Sequence, residues 1–141
     1  MYEGVVAMLD DLAARGLSLS VATAKPEQTA HPILDYFEIS ERFDVRAGAS
    51  LTSDRRTKAQ VIAHALRELE IQADPDLGDH VIMIGDRDHD VHGAMHLGIA
   101  CIGVTWGYGS IEELIKAGAV ALADSPADVA DLVVQPYILH R

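Results

Sequence analysis

Two hydrophobic rhythms alternate along this chain, one with the period of a helix and one with that of a strand. Val5, Leu9 and Leu12 recur at helical spacing with Met8 beside them, and Gly16 after Arg15 is a stop signal. Residues 17–23 alternate strictly and predict a strand ending at a threonine. Pro26 suits the first position of the next helix, whose apolar face is Ile33, Leu34 and Phe37. Residues 43–47 alternate again as a short strand, and residues 48–53 read as a loop. Val61, Ile62, Ala65, Leu66 and Leu69 mark a long amphipathic helix beginning near Thr57, followed by an Asp74-Pro75-Asp76 loop.

The pattern then changes. Residues 81–84 are Val-Ile-Met-Ile, a continuous apolar run that predicts a strand buried on both faces, as in a parallel sheet. Gly85 breaks it, and the carboxylates of Asp86, Asp88 and Asp90 follow. Val91, Ala94 and Met95 give a helix that stops at Gly98, and residues 99–104 form another buried strand. After the Trp106-Gly-Tyr-Gly109 loop, Ser110 and Glu113 match a capping box for a short helix ending at Gly118. Residues 119–123 read as a last short strand, and Ser125-Pro126 opens a last helix. Strand and helix alternate about five times without a repeat or linker. This predicts a single doubly wound α/β domain with a parallel sheet over residues 1–141.

Composition narrows the context. A chain of 141 residues, 49% apolar and 23% charged, can bury one ordinary core. Eleven Lys and Arg against twenty-two Asp and Glu give a net charge of −11, which argues against nucleic acid or an anionic membrane surface as partner. No apolar run approaches the roughly 20 residues that span a bilayer, and the first residues lack the basic-then-apolar order of a signal peptide. Cys101 is the single cysteine and sits inside an apolar run, so it is expected in the core. With no disulfide possible within the chain, the cytoplasm is the expected compartment.

Three loops after strands carry the candidate chemistry. Ala22-Thr23-Ala24-Lys25-Pro26 offers a hydroxyl and backbone N–H groups at a strand-to-helix turn, which suits either a phosphate cradle or a plain helix cap. Lys58, preceded by Arg55 and Arg56, puts a cation in a first helical turn, where the helix dipole disfavours it. Either an anion lies nearby or this is a solvated basic edge. Asp86, Asp88 and Asp90 could be an acidic helix start, but three carboxylates within five residues exceed what capping needs and point to a hard cation. Mg²⁺ takes one or two carboxylates and keeps several waters. Asp86, at the strand end, is the better direct ligand; Asp90 could orient a metal-bound water or pair with Lys58. His92 and His96 share one helix face at zinc-binding spacing, but Gly93 stands where a zinc protease has glutamate, which weighs against a histidine metal site.

Four stretches in register resemble the haloacid dehalogenase-like hydrolase superfamily, in particular its phosphoglycolate-phosphatase-like branch. They are Val-Ala-Thr23-Ala-Lys-Pro, Arg-Arg-Thr-Lys58-Ala-Gln-Val-Ile, Met-Ile-Gly-Asp86-Arg-Asp-His-Asp90-Val-His-Gly-Ala and Gly103-Val-Thr-Trp-Gly-Tyr-Gly109. The resemblance implies a Rossmann-like core and a Mg²⁺-dependent phosphatase of small phosphorylated metabolites that works through an aspartyl phosphate. It implies that Thr23 hydrogen-bonds the transferring phosphoryl group, with Ala24 beside it in the phosphate site. By the same resemblance Lys58 neutralises that group and steadies the catalytic carboxylates, Asp86 holds Mg²⁺, and Asp90 supports it.

The family's first motif, Asp-x-Asp-x-Thr, supplies the nucleophile on a strand that lies mid-sheet between those carrying Thr23 and Asp86. No such motif precedes Thr23 here, and Asp10-Asp11 lies within a helical pattern. The cap domain that helps select the substrate is also absent. The chain therefore resembles the C-terminal portion of such a core, and is expected to be inactive alone. Its unsatisfied strand edges should pair with each other, with another chain through self-association, or with a missing N-terminal segment. The alternative is a non-catalytic binding module on the same fold. A phosphorelay receiver fits poorly, because its acids precede its Thr and Lys in the chain.

Overall fold

Helices and parallel strands alternate from Val5 to Val133, as α1 (Val5–Ala14), β1 (Ser20–Pro26), α2 (Glu27–Tyr36), β2 (Val45–Ala49), α3 (Lys58–Glu68), β3 (Ile82–Gly85), α4 (Asp88–His96), β4 (Ala100–Val104), α5 (Ile111–Ala117), β5 (Ala121–Ala123) and α6 (Pro126–Val133). This computed structural model describes residues 3–50, 55–72 and 76–137. The periodicities thus locate each of these elements, but not the single 3₁₀ turns at Ser40–Arg42 and Leu77–Asp79. Residues 51–53 of the expected loop at 48–53, and Asp74 and Pro75 of the Asp74-Pro75-Asp76 turn, lie outside the described residues, while Gly48 and Ala49 extend β2.

Local chemistry sets the boundaries. Thr57 Oγ1 accepts the Gln60 N–H at 3.2 Å while Gln60 Oε1 accepts the Thr57 N–H at 3.1 Å, a full capping box that starts α3. Gly118, at φ 109°, closes α5 in the left-handed region that side chains with a Cβ avoid. Two expectations shift. Pro26 ends β1 and flanks α2 rather than opening it. Thr23 lies within β1, not at its end, because the strand continues through an irregularity: Ala22 pairs with Ala47 and Pro26 with Ala49. Three residues of β1 therefore face Gly48 alone, a bulge of the kind found beside active sites. Gly48 admits it, since a Cβ there would sit 2.7 Å from the Lys25 carbonyl oxygen and 2.8 Å from the Glu27 nitrogen.

The strands form two parallel sheets, not one. β1 pairs with β2, and β3, β4 and β5 pair in that order, with β4 in the middle. No hydrogen-bonded ladder joins β1 to β3 among the described residues. This bears on burial. The run at 81–84, expected to be enclosed on both faces, is only half-buried, whereas every residue of β4 is buried. A strand with one unpaired edge keeps part of its surface open, which the apolar sequence of β3 could not reveal.

Helices cover both faces, so the winding is double as the alternation predicts. Ile62, Leu66, Val91, Ala94, Cys101 and Leu114 pack together from α3, α4, β4 and α5. Leu12, Ile102, Val104, Val129 and Ala130 form the cluster beneath α1 and α6. Helix α3 serves both sheets: Val61 and Ala65 pack on Ala47 of β2, while Ile62 and Leu66 enter the core of the larger sheet. Two adjacent apolar stripes on one helix thus hold the halves together.

Candidate active site

Lys58 stands where α3 meets both sheets. Its Nζ donates to the Ala22 carbonyl oxygen of β1 at 2.9 Å and lies 2.6 Å from Asp90 Oδ1 of α4. The two side chains are 8% and 6% exposed, so this is a buried ion pair and not a solvated basic edge. The anion that a cation in a first helical turn calls for is internal, and it is Asp90. Gly93 makes room: a Cβ there would lie 2.7 Å from Lys58 Cγ and 2.9 Å from its Cβ.

Asp90 has a second task. Its Oδ2 accepts the backbone N–H of Asp86 at 3.0 Å and of Arg87 at 3.1 Å, folding the carboxylate back over the end of β3. Gly85, the last residue of that strand, makes room for the carboxylate, since a Cβ there would collide with the Asp90 side chain. Asp86 is half-buried at the strand's carboxyl end. Its Oδ2 accepts the Tyr108 N–H at 2.9 Å, from the loop after β4. Gly107 and Gly109 let that loop close in, since a Cβ on Gly107 would strike the Asp86 carboxylate and one on Gly109 the Asp86 carbonyl.

The three carboxylates therefore diverge. Asp86 turns to Tyr108, Asp90 to Lys58 and the turn amides, and Asp88 Oδ1 accepts the His89 N–H at 2.8 Å. The crowding that suggested a cation is relieved by separate partners. No group of three or more His, Cys, Asp or Glu side chains able to hold a metal occurs among the described residues. His92 and His96 are exposed and form no such group. A closed metal cage is absent there, but Mg²⁺ does not need one. Asp86 offers a hard, partly accessible carboxylate at the strand end, and Asp90 braces its backbone.

Thr23 and Ala24 lie in the β1 bulge, next to the carbonyl that Lys58 grips. Thr23 Oγ1 accepts the Lys25 N–H at 3.2 Å, and Ala24 is exposed. Arg55, expected to add to a basic edge, is instead paired with Glu27 at 2.9 Å. A continuous chain of contacts thus runs from the β1 bulge through Lys58 and Asp90 to Asp86.

Glu113 is the site residue that sequence reasoning missed. Ser110 Oγ accepts the Glu113 N–H at 3.0 Å, so half of the expected capping box forms. The Glu113 carboxylate goes elsewhere: Oε2 accepts Arg87 Nε–H and the Asp88 N–H, both at 2.9 Å. These hydrogen bonds, with the Arg87 side chain contributing most, hold the Glu113 carboxyl below the usual glutamate range, and the Arg87 guanidinium is raised in turn. The Ser-x-x-Glu spacing signals a cap; only the fold shows that α5 faces the acidic loop.

A doubly wound parallel α/β core with its charged groups gathered at strand carboxyl ends defines the class of the molecule. The chain belongs to the haloacid dehalogenase-like hydrolase family, whose model matches residues 1–104. It is 40% identical over 122 residues to the tyrosine-protein kinase PtkA of Mycobacterium tuberculosis, covering 86% of this chain and 40% of that protein. It is 39% identical over 114 residues to a 5'-nucleotidase of Pseudomonas aeruginosa, covering 81% and 49%. A phosphoglycolate phosphatase of Rhodospirillum rubrum shares 30% identity over 131 residues, covering 93% and 52%. Among solved structures, a predicted phosphatase from Clostridium acetobutylicum superposes with a TM-score of 0.86 at 39% identity, covering 94% of this chain and 59% of that one. The chain spans about half the length, or less, of the curated relatives it matches.

Proposed function

We propose that this chain carries the phosphate-binding and magnesium half of a phosphatase acting on small phosphorylated metabolites. The observation that carries the reading is the reach of Lys58 from Ala22 of β1 to Asp90 behind Asp86, between two sheets that no described strand joins. A strand inserted parallel to β1 and β3 would pair both open edges, and a nucleophilic aspartate at its carboxyl end would lie beside Lys58. That strand could come from a segment continuous with this chain, from a second copy or from another protein. A cleft of about 420 Å³ near the start of β3 is lined by Leu17, by Val81 and Ile82, and by the C-terminal segment through Val133 and Tyr137.

In this reading Thr23 hydrogen-bonds the transferring phosphoryl group, with Ala24 in the same bulge, and Lys58 offsets its charge. Mg²⁺ would be held by Asp86 with Asp90 supporting, and would supply charge neutralisation at the phosphoryl oxygens. The phosphoryl group would pass to the inserted aspartate with departure of the substrate alcohol, and water would then release inorganic phosphate. The relatives' names join a tyrosine-protein kinase to a 5'-nucleotidase and a phosphoglycolate phosphatase, and all imply phosphoryl transfer. Water as final acceptor fits the latter two. Phosphoglycolate is the substrate suggested by that branch, and the cytoplasm is the expected setting. No helix among the described residues is long and apolar enough to cross a membrane.

The test is hydrolysis of an aryl phosphate with Mg²⁺, by this chain alone and by a fusion that adds an Asp-x-Asp-x-Thr strand. The chain alone should give no turnover, and the fusion should give turnover abolished by Asp86→Asn. Turnover by the chain alone would demand another nucleophile. A folded fusion that binds Mg²⁺ or phosphate without turnover would favour a non-catalytic binding module.

A further inference from the structure

Sequence alone makes Glu113 a helix cap, yet its carboxylate abandons that role for the loop of another helix. A capping box would return the carboxylate to the Ser110 N–H. Instead Oε2 takes two donors, Arg87 Nε–H and the Asp88 N–H, each at 2.9 Å. Both belong to the turn that begins at Asp86. Arg87 is 43% exposed and Glu113 25% exposed, so the pair sits at the rim of the site.

The turn is gripped from both sides. Asp90 Oδ2 accepts the Asp86 and Arg87 N–H groups from within, while Glu113 accepts Arg87 Nε–H and the Asp88 N–H from the α5 side. Gly109 lies between these grips, where a Cβ would be 2.9 Å from Glu113 Oε2 and would also strike the Asp86 carbonyl. Tyr108, next to it, donates its N–H to Asp86 Oδ2. The backbone of the loop after β4, the first turn of α5 and the Asp86 turn therefore form one hydrogen-bonded assembly.

We infer that Glu113 is a positioning residue, which orients Asp86 for Mg²⁺ by clamping the Asp86–Asp88 turn against α5. The inference rests on the reading of Asp86 as the magnesium ligand. Glu113 itself does not touch the ion. Its negative charge also adds little directly, because Arg87 neutralises it. Outer groups that orient a metal ligand are worth about 10–100-fold in affinity.

The experiment titrates this chain with Mg²⁺ alone and follows the amide chemical shifts of residues 85–90. Three proteins are compared: the unchanged chain, Glu113→Gln and Glu112→Gln. Glu112 lies exposed in the same helical turn, so its substitution removes the same charge without the clamp. Glu113→Gln should weaken Mg²⁺ binding by about tenfold, with its far-ultraviolet circular dichroism unchanged, and Glu112→Gln should bind within twofold of the unchanged chain. A merely structural role would lower the melting temperature without moving affinity measured well below it. Equal affinity in Glu113→Gln overturns the inference and leaves the proposed function standing. Equal weakening by both substitutions overturns it too, in favour of long-range charge. Failure of the unchanged chain to bind Mg²⁺ overturns the magnesium reading and this inference together.

Discussion

Lys58 Nζ and Asp90 Oδ1 lie 2.6 Å apart in a site where both side chains are nearly closed to water. Each has a further partner, Ala22 O for the cation and the Asp86 and Arg87 amides for the anion. The pair thus ties a bulged strand, a helix start and an acidic turn into one unit. Removing one member strands the other as a buried charge, at a cost of about 3–5 kcal/mol. Lys58→Met and Asp90→Asn should each lower unfolding free energy by an amount near the lower end of that range, read from urea denaturation. The double variant should cost less than their sum, since neither charge is then left alone. Additive effects, or single losses under about 1 kcal/mol, would mean that the pair is solvated, like an ordinary surface bridge.

Gly93→Ala sets two effects of opposite sign against each other. In a helix interior, alanine is favoured over glycine by about 1 kcal/mol. The new Cβ, however, would lie 2.9 Å from Lys58 Cβ and 3.0 Å from the Ala59 nitrogen, the latter a backbone atom that cannot swing aside. Overpacking of this kind costs about 1–3 kcal/mol, so net destabilisation is expected. A thermal melt higher than that of the unchanged chain would show that α3 and α4 can separate freely.

Much of α3 is legible in the sequence, while the contacts it makes are not. Val61, Ile62, Ala65 and Leu66 announce α3 by their spacing, and the Thr57 cap fixes its start, because both signals are local. Lys58 was legible as a cation needing an anion. Asp90 is legible as one candidate partner for it, but that the two meet in a buried pair depends on α4 packing against α3, which no local pattern encodes. The half-burial of β3 was likewise hidden, since an apolar run looks the same whether one edge or two are paired. Gly93 and Gly107 fall in the stretches that carry the family resemblance, but the steric need for glycine there is not legible in the sequence. Their reason is a neighbour's side chain arriving from elsewhere in the fold. Glu113 was legible only as a cap, since the spacing that suits Ser110 is blind to Arg87.

Cys101 offers a test of the core. It is fully buried on β4, and burial pushes its thiol up to about 12, with the nearby Asp90 charge adding to the effect. At pH 8 an aromatic disulfide reagent should leave the native thiol untouched over the time in which the urea-unfolded chain reacts completely. Because the native value lies above the unfolded one of about 8.5, the neutral thiol supports folding fully below that pH. Above it the unfolded thiol ionises first, so that support falls as pH rises towards the native value. Cys101→Ser should flatten this alkaline loss, and fast labelling of the native protein would show that the sheet opens.

Glu113 makes the opposite prediction at the acid end. Its carboxyl lies below the ordinary glutamate range, chiefly through the Arg87 hydrogen bond and then the Asp88 amide, while the Asp88 carboxylate works the other way. A depressed native value means that the carboxylate contributes stability above the unfolded glutamate value of about 4.3. The contribution is lost as pH falls below that value and through the native one. The stability difference between the unchanged chain and Glu113→Gln should therefore be largest and flat from about pH 6 to 7, then shrink as the solution is acidified below about pH 4. Glu113 is solvent-facing, so salt should reduce the difference at every pH. Urea denaturation across that range, at low and high salt, reads both trends. A difference that grows on acidification would mean that Arg87 and Asp88 do not hold Glu113 in its charged form.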